Sequence, residues 1–171
     1  ALWHTRDGEK LWQAVDLFNQ AIAADPKFAQ AYGGLALVYA VIPDYSTRIS
    51  YENAYRLVTD AVGMALGLEP TLPEPYAALA SSASWERRRN TAITLNQRAI
   101  AIRPSFATAY QWLGTDTMMA GDPKAALAAL DRAVDRGAAG DRLGGPADDG
   151  GNGCAGQDPA HQGCAVQRQD L

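Results

Sequence analysis

The sequence predicts an all-α fold in which antiparallel helix pairs repeat along the chain and a tail of different composition follows. Three regularities support this prediction. Pro26, Pro70 and Pro104 are spaced by 44 and 34 residues, which is a period of 34 with an insertion of ten in the first interval. Alanine occurs twelve and five residues before Pro26 and again before Pro104. Six residues after each proline comes a tyrosine, followed three positions later by Leu and then by Ala or Gly.

Packing explains each part of this period. Alanine lies where two helices touch, because small side chains let helix axes approach to about 8–10 Å. Proline ends the second helix of each pair, since it lacks a backbone N–H and obstructs the preceding turn. Tyr32, Tyr76 and Tyr110 are expected to fill the gaps between neighbouring helices. The period predicts seven helices, near residues 8–24, 28–42, 52–68, 73–84, 87–102, 106–120 and 123–136.

Several helices and links depart from the regular repeat or carry residues that mark helix ends. The first helix lacks an upstream partner, so we expect the sequence to begin inside a repeat of a longer protein. The insertion, PDYSTRISYE at 43–52, lengthens the link between the second and third helices. Asn96 stands in the fifth helix where the first has Phe18, which predicts looser packing there. Gly121 is expected to end the sixth helix, and Asp122 to cap the seventh.

The composition changes after Arg136. Residues 137–171 hold nine of the sixteen glycines and no aromatic residue, so this segment buries too little surface to offset the entropy of ordering. We therefore divide the chain into a repeat domain, 1–136, and a disordered Gly-rich tail, 137–171. The repeat breaks off at Ala138, where a fourth proline is expected. Our hypothesis for this break is a reading-frame error or the end of a fragment.

These residues resemble the tetratricopeptide repeat family, whose helix-turn-helix unit has a period of 34. The family pattern has a large aromatic, Leu, Gly and Tyr on the first helix, and Ala, Phe, Ala and Pro on the second. Both sets occur here with at most a small-for-small exchange, as Tyr32, Leu35, Ala36 and Tyr39 and as Ala14, Phe18, Ala21 and Pro26. The resemblance covers residues 11–135 and implies an α-solenoid whose first helices line a concave groove.

The resemblance also implies that the groove is lined by the second, fifth, ninth, twelfth and thirteenth positions of each repeat. At these positions, the residues predicted to bind a partner are Gln30, Leu37, Val41, Glu74, Ser81, Trp85, Thr108, Gln111, Thr115, Met118 and Met119. None is Lys, Arg or Asn, the donors needed to hold a peptide's terminal carboxylate. We therefore expect a protein or peptide partner with apolar anchors. Alternatively, these side chains pack against the insertion or against a neighbour that is missing from this sequence.

Charge and hydropathy restrict the class of partner. Fifteen Lys and Arg against nineteen Asp and Glu give a net charge of -4, which does not attract nucleic acid or anionic lipid. The longest apolar run, residues 35–42, is far shorter than the ~20 residues that span a bilayer. We expect no nucleic-acid partner, no membrane partner and a cytoplasmic location.

No motif in the sequence strongly predicts catalysis or the binding of a cofactor or metal. GNGCAG at 151–156 has the glycine spacing of a dinucleotide loop but lacks a flanking strand and helix. Cys154, His161 and Cys164, even with Asp158, lack the close cysteine pair of a structural zinc site. The arginines at 87–89 are typical of a solvated turn. The sequence therefore predicts no enzyme, no metal and no cofactor.

The leading functional hypothesis is a protein- or peptide-binding repeat scaffold without chemistry of its own. A second hypothesis starts from residues 11–39, which resemble the repeat regions of bacterial signalling proteins such as class III adenylate cyclases and winged-helix regulators. That resemblance implies a regulatory or oligomerising arm whose catalytic or DNA-binding domain lies upstream. Self-association is also expected, because Leu127, Leu130 and Val134 have no following helix to cover them.

Overall fold

The computed structural model describes residues 8–138, which form seven α-helices and no strand. The helices are α1 Gly8–Ala24, α2 Ala29–Tyr39, α3 Tyr51–Leu68, α4 Pro73–Trp85, α5 Arg89–Ile102, α6 Ala107–Met119 and α7 Pro123–Ala138. Within this range the predicted all-α fold of seven helices is confirmed. The interpretations of the tail lie outside the described residues, including its disorder, the glycine motif at 151–156 and the set Cys154, Asp158, His161 and Cys164.

The helices stack as pairs. Within the pairs, α2 packs on α3, α4 on α5 and α6 on α7. Between successive pairs, α3 packs on α4 and α5 on α6, and α1 packs on α2 in the same way. The first helices of successive pairs also touch, α2 with α4 and α4 with α6. Consequently α2, α4 and α6 form one layer of the stack, and α1, α3, α5 and α7 form the other. The helices that carry the predicted groove positions therefore lie in one layer.

Equivalent residues of successive repeats make equivalent contacts. Tyr32 donates its hydroxyl proton to the backbone oxygen of Pro26, and Tyr76 donates to that of Pro70, each across 3.4 Å. α1, α3 and α5 each end two residues before a proline, as predicted. Because these contacts recur with the period of the sequence, that period corresponds to a structural repeat.

The links within the second and third pairs share one turn. Arg87 and Gly121, one period apart, both adopt positive φ angles, 60° and 92°. In each link the following N–H bonds back to the carbonyl five residues earlier, across 2.9 Å after Arg87 and 3.1 Å after Gly121. This helix-ending motif favours glycine at the positive φ. Asp122 then caps α7, as predicted, by accepting the N–H of Ala125 at 2.9 Å.

The insertion between α2 and α3 folds back onto α1. A single turn of 3-10 helix, Ile42–Asp44, leads into the insertion, and the Ile42 side chain is fully buried. Trp12 on α1 donates its indole N–H to Ser46 Oγ at 3.2 Å. Ser50 then caps α3 by accepting a backbone N–H at 3.2 Å. The additional residues are therefore part of the packed structure.

Candidate functional site

The residues predicted to line a groove lie on α2, α4 and α6 or at their ends, and at the ninth and thirteenth repeat positions their exposure is greatest on α6. At the ninth repeat position, Leu37 is 1% exposed, Ser81 is half-buried and Thr115 is exposed. At the thirteenth position, Met119 is 63% exposed, whereas its counterparts after α2 and in α4 are half-buried. Equivalent positions therefore offer different amounts of surface to a partner.

The greater exposure on α6 follows from how the first helices cover one another. α4 packs on α2, and the Ser81 hydroxyl donates across this contact to the backbone oxygen of Ala40 at 3.1 Å. α6 packs on α4 in turn, and the only helix that follows α6 within residues 8–138 is α7, which belongs to the other layer. We call the exposed residues among the predicted groove positions of α6 the α6 surface. It consists of Gln111, Thr115, Met118 and Met119.

Other predicted groove residues are engaged within the chain, and here the structure differs from the sequence prediction. Three of them are buried: Leu37, Glu74 and Thr108. The Glu74 carboxylate forms an ion pair with Arg103 at the end of α5. Gln30 is exposed, but its amide donates to Glu69 Oε2 at 3.0 Å. Glu74 and Gln30 therefore connect the two helices of their own pairs.

A buried polar cluster joins α4, α5 and α6. The Asp116 carboxylate accepts hydrogen bonds from the Ser84 hydroxyl and, at 3.2 Å, from the Asn96 amide. Arg89 Nη1 lies 3.9 Å from the same carboxylate. Burial raises the pKa of Asp116 above its usual value, and the three partners oppose this rise.

The cluster bears on two sequence expectations. Asn96 is fully buried and its amide nitrogen donates to Asp116, but its Oδ1 has no hydrogen-bond partner within the described residues, so the looser packing expected from the missing phenylalanine stays a prediction. Arg89 is half-buried and also donates to the backbone oxygen of Ser84 at 2.8 Å, so only Arg87 and Arg88 of the arginine run are exposed. The unusual polar residue at a core position was the available sequence indication of this cluster.

A cavity of about 490 Å³ opens beside the end of α4. Its lining consists of Tyr51, Glu52, Tyr55, Trp85 and Glu86, and we call it the aromatic pocket. The rings of Tyr51 and Trp85 meet edge to face, with centroids 5.0 Å apart. Sequence reasoning found Trp85 but missed both tyrosines, because they lie on α3, outside the first helices.

The outer face of α7 exposes apolar side chains. Leu127 and Val134 are 60% and 70% exposed, while Leu130 turns inward toward Gly114 of α6. One period earlier, on α5, the same positions hold Ile93 and Ile100, which are half-buried. α6 packs on α5, whereas no described helix packs on α7 in the same way. This α7 face therefore resembles a repeat interface that lacks its neighbour.

Metal-binding groups and membrane-spanning helices are both absent from the part of the chain that the structure describes. No cluster of three or more His, Cys, Asp or Glu residues between positions 8 and 138 is arranged to hold a metal ion. Over the same range, no helix combines the length and the apolar character needed to cross a bilayer.

Comparison with known proteins gives structural matches only. No protein-family model and no curated protein sequence matches the chain. A crystal structure of MamA protein superposes with a TM-score of 0.50 at 20% identity, over 75% of this chain and 68% of that one. MamA 41-end from Desulfovibrio magneticus RS-1 gives 0.50 at 18% identity, over 80% and 79%. The MamA RS-1 ArsTM double mutant also gives 0.50, at 17% identity, over 80% and 78%. The chain thus shares with MamA a helical-repeat fold of the tetratricopeptide type.

Proposed function

We propose that this protein binds other proteins or peptides through its stacked helices and performs no chemistry of its own. The observation that supports this function most directly is the α6 surface, where the predicted groove positions are exposed. Two methionines there provide apolar area, and flexible methionine side chains adapt to partners of different shape. Gln111 and Thr115 add an amide and a hydroxyl beside them.

The chemistry of this surface indicates the kind of partner. Its four residues are Gln111, Thr115, Met118 and Met119, and none of them carries a charge. A terminal carboxylate would therefore find no cationic donor among them, and its burial would be unfavourable. An extended or helical peptide with apolar anchors fits better, because it gains from covering the methionines.

Peptides selected from a random display library against the protein provide a test. Replacing both Met118 and Met119 by serine is expected to weaken binding of a selected peptide by about tenfold or more, since apolar area is no longer buried. Fluorescence polarisation of the labelled peptide measures this change.

Met64→Ser is the matched control for this experiment. Met64 and Met118 are equally exposed, at 48%, but Met64 lies on α3 in the other layer of the stack. Binding should be unchanged in this variant. Equal affinity of the Met118/Met119 variant and the wild type, or an equal loss in Met64→Ser, would refute the proposed surface.

Self-association is a second candidate, which the exposed α7 face favours. Leu127 and Val134 correspond to isoleucines that are partly covered inside the stack, so a second copy that packs there would bury comparable apolar area. Leu127→Lys with Val134→Lys is expected to convert any oligomer to monomer, as measured by light scattering at two concentrations. Leu68→Lys on α3 is the control, and a wild type that stays monomeric at both concentrations contradicts self-association.

The remaining functional hypotheses from the sequence stay predictions. The match to MamA supports the repeat fold, and it does not extend to a regulatory or oligomerising arm of a cyclase or a winged-helix regulator. The cytoplasmic location likewise rests on the sequence alone.

A further inference from the structure

The aromatic pocket combines aromatic rings with carboxylates. Tyr51 and Tyr55 come from the first turns of α3, and Trp85 is the last residue of α4. Glu52 and Glu86 complete the lining. Two elements that are distant in sequence therefore bring three aromatic side chains and two acidic groups to one cavity.

The charges around the pocket favour a cation. Glu86 is paired with Arg88, whose Nε lies 2.6 Å from its carboxylate oxygen. Glu52 forms no ion pair with another residue of the described range. Asp44 is held next to the pocket, because the Tyr51 hydroxyl donates to its carboxylate at 2.8 Å. Among residues 8–138, the carboxylates of Glu52 and Asp44, which lie at or beside the pocket, thus have no cationic partner.

Aromatic faces attract cations because the ring quadrupole places negative potential above its plane. Such contacts occur in the described part of the chain, where the Arg98 guanidinium lies 4.6 Å from the Tyr76 ring and the Arg103 guanidinium 4.5 Å from the Phe106 ring. In the aromatic pocket the rings of Tyr51, Tyr55 and Trp85 line open space, and tryptophan is the ring that binds cations best.

We propose that the aromatic pocket binds an organic ammonium group, with Trp85 and Tyr55 contacting the cation and Glu52 balancing its charge. The cavity volume lies within the range of about 300–1,000 Å³ that is usual for ligand sites, so a methylated headgroup or a lysine side chain has room. The source of this group is either a free quaternary ammonium compound or a lysine of a bound protein. The site does not depend on whether the α6 surface binds a peptide.

Comparing choline with its uncharged isostere 3,3-dimethyl-1-butanol distinguishes the contribution of the positive charge to affinity from the contribution of the ligand's shape. In titrations of the protein at constant ionic strength, followed by NMR of the tryptophan indole N–H groups, we expect choline to bind at least tenfold more tightly than the alcohol. A short peptide with one trimethyllysine, and the same peptide with norleucine, form the second arm. Tighter binding of the trimethyllysine peptide than of choline identifies a protein-borne ligand, and the reverse order identifies a free one.

Variants locate the binding to the pocket. Trp85→Leu and, separately, Tyr55→Leu are expected to weaken choline binding by about tenfold, because leucine keeps apolar bulk but has no ring quadrupole. Tyr55→Leu leaves the contact between Tyr51 and Trp85 in place, so it is informative even where Trp85→Leu perturbs packing. Tyr45→Leu is the control, since Tyr45 is an exposed tyrosine of the insertion that does not line the pocket.

Three results would overturn the proposal: equal affinity for choline and the alcohol, no binding of either ammonium probe, or an equal loss in Tyr45→Leu. The double variant Met118→Ser with Met119→Ser should leave choline binding unchanged. Failure of the cation site and failure of the α6 surface are thus distinguishable.

Discussion

Replacing Phe106 by alanine is expected to lower the free energy of unfolding by about 3–5 kcal/mol. Phe106 immediately precedes α6, is 0% exposed, and belongs to the main hydrophobic core. The Arg103 guanidinium lies over its ring, so truncation also removes a cation–π contact. The loss of apolar contacts and the cavity left behind both destabilise the folded state. Urea denaturation followed by circular dichroism measures the change.

Phe28 is the matched control for this variant. It precedes α2 as Phe106 precedes α6, and the backbone angles of the two agree, with φ and ψ of -75° and 84° for Phe28 and -76° and 85° for Phe106. Phe28, however, is 43% exposed. Phe28→Ala should therefore cost less than about 1.5 kcal/mol, because much less apolar area is lost. Equal losses in the two variants would show that burial does not distinguish these positions.

Replacing Asp116 by alanine is expected to lower the free energy of unfolding by about 2–4 kcal/mol at neutral pH. The substitution removes the acceptor for the Ser84 hydroxyl and the Asn96 amide and the charge that faces Arg89. Polar groups that stay buried without partners pay their full desolvation cost. Thr115→Ala on the exposed side of the same helix is the control, and it should change stability little.

Asparagine at position 116 separates hydrogen bonding from charge. Asp116→Asn should cost less than alanine, because the amide can still accept a hydrogen bond. Burial raises the folded-state pKa of Asp116 above its usual value of 3.8, so the folded state binds the proton more tightly than the unfolded state does. The stability contributed by this proton is fully present below the unfolded pKa and is lost as the pH rises through the folded pKa.

The sign of the pH effect follows from this linkage. The stability of the wild type relative to Asp116→Asn should rise as the pH falls from about 7 toward about 4, since the asparagine variant lacks the titrating group. Urea denaturation of both proteins across this range provides the measurement. A difference that is constant, or that falls in acid, would mean that burial does not raise the pKa of this carboxyl.

The helix boundaries were predictable because their causes are local. Proline cannot continue a helix, and so α1, α3 and α5 end before Pro26, Pro70 and Pro104. The side chain of Asp122 caps the helix that begins at the next residue. Each of these effects acts within a few residues of chain, which a single sequence displays in full.

The candidate sites were predictable only in part. Trp85 was found through its repeat position, but Tyr51 and Tyr55 meet it across the stack from a helix that the repeat pattern assigns to the other layer. Glu74 occupies a predicted groove position, but its carboxylate forms an ion pair with Arg103 of the same chain. Local sequence patterns do not predict which residue of a neighbouring helix a side chain contacts.

The sequence by itself determined the period, the helix ends and the all-α class, because proline, glycine and small residues act on the backbone next to them. Only the tertiary structure decided which copy of each repeat position is exposed. Phe28 and Phe106 share residue type, repeat position and backbone conformation, and they differ in what packs on them. Exposure depends on the neighbouring repeat, so equivalent residues serve as core at one point of the stack and as surface at another.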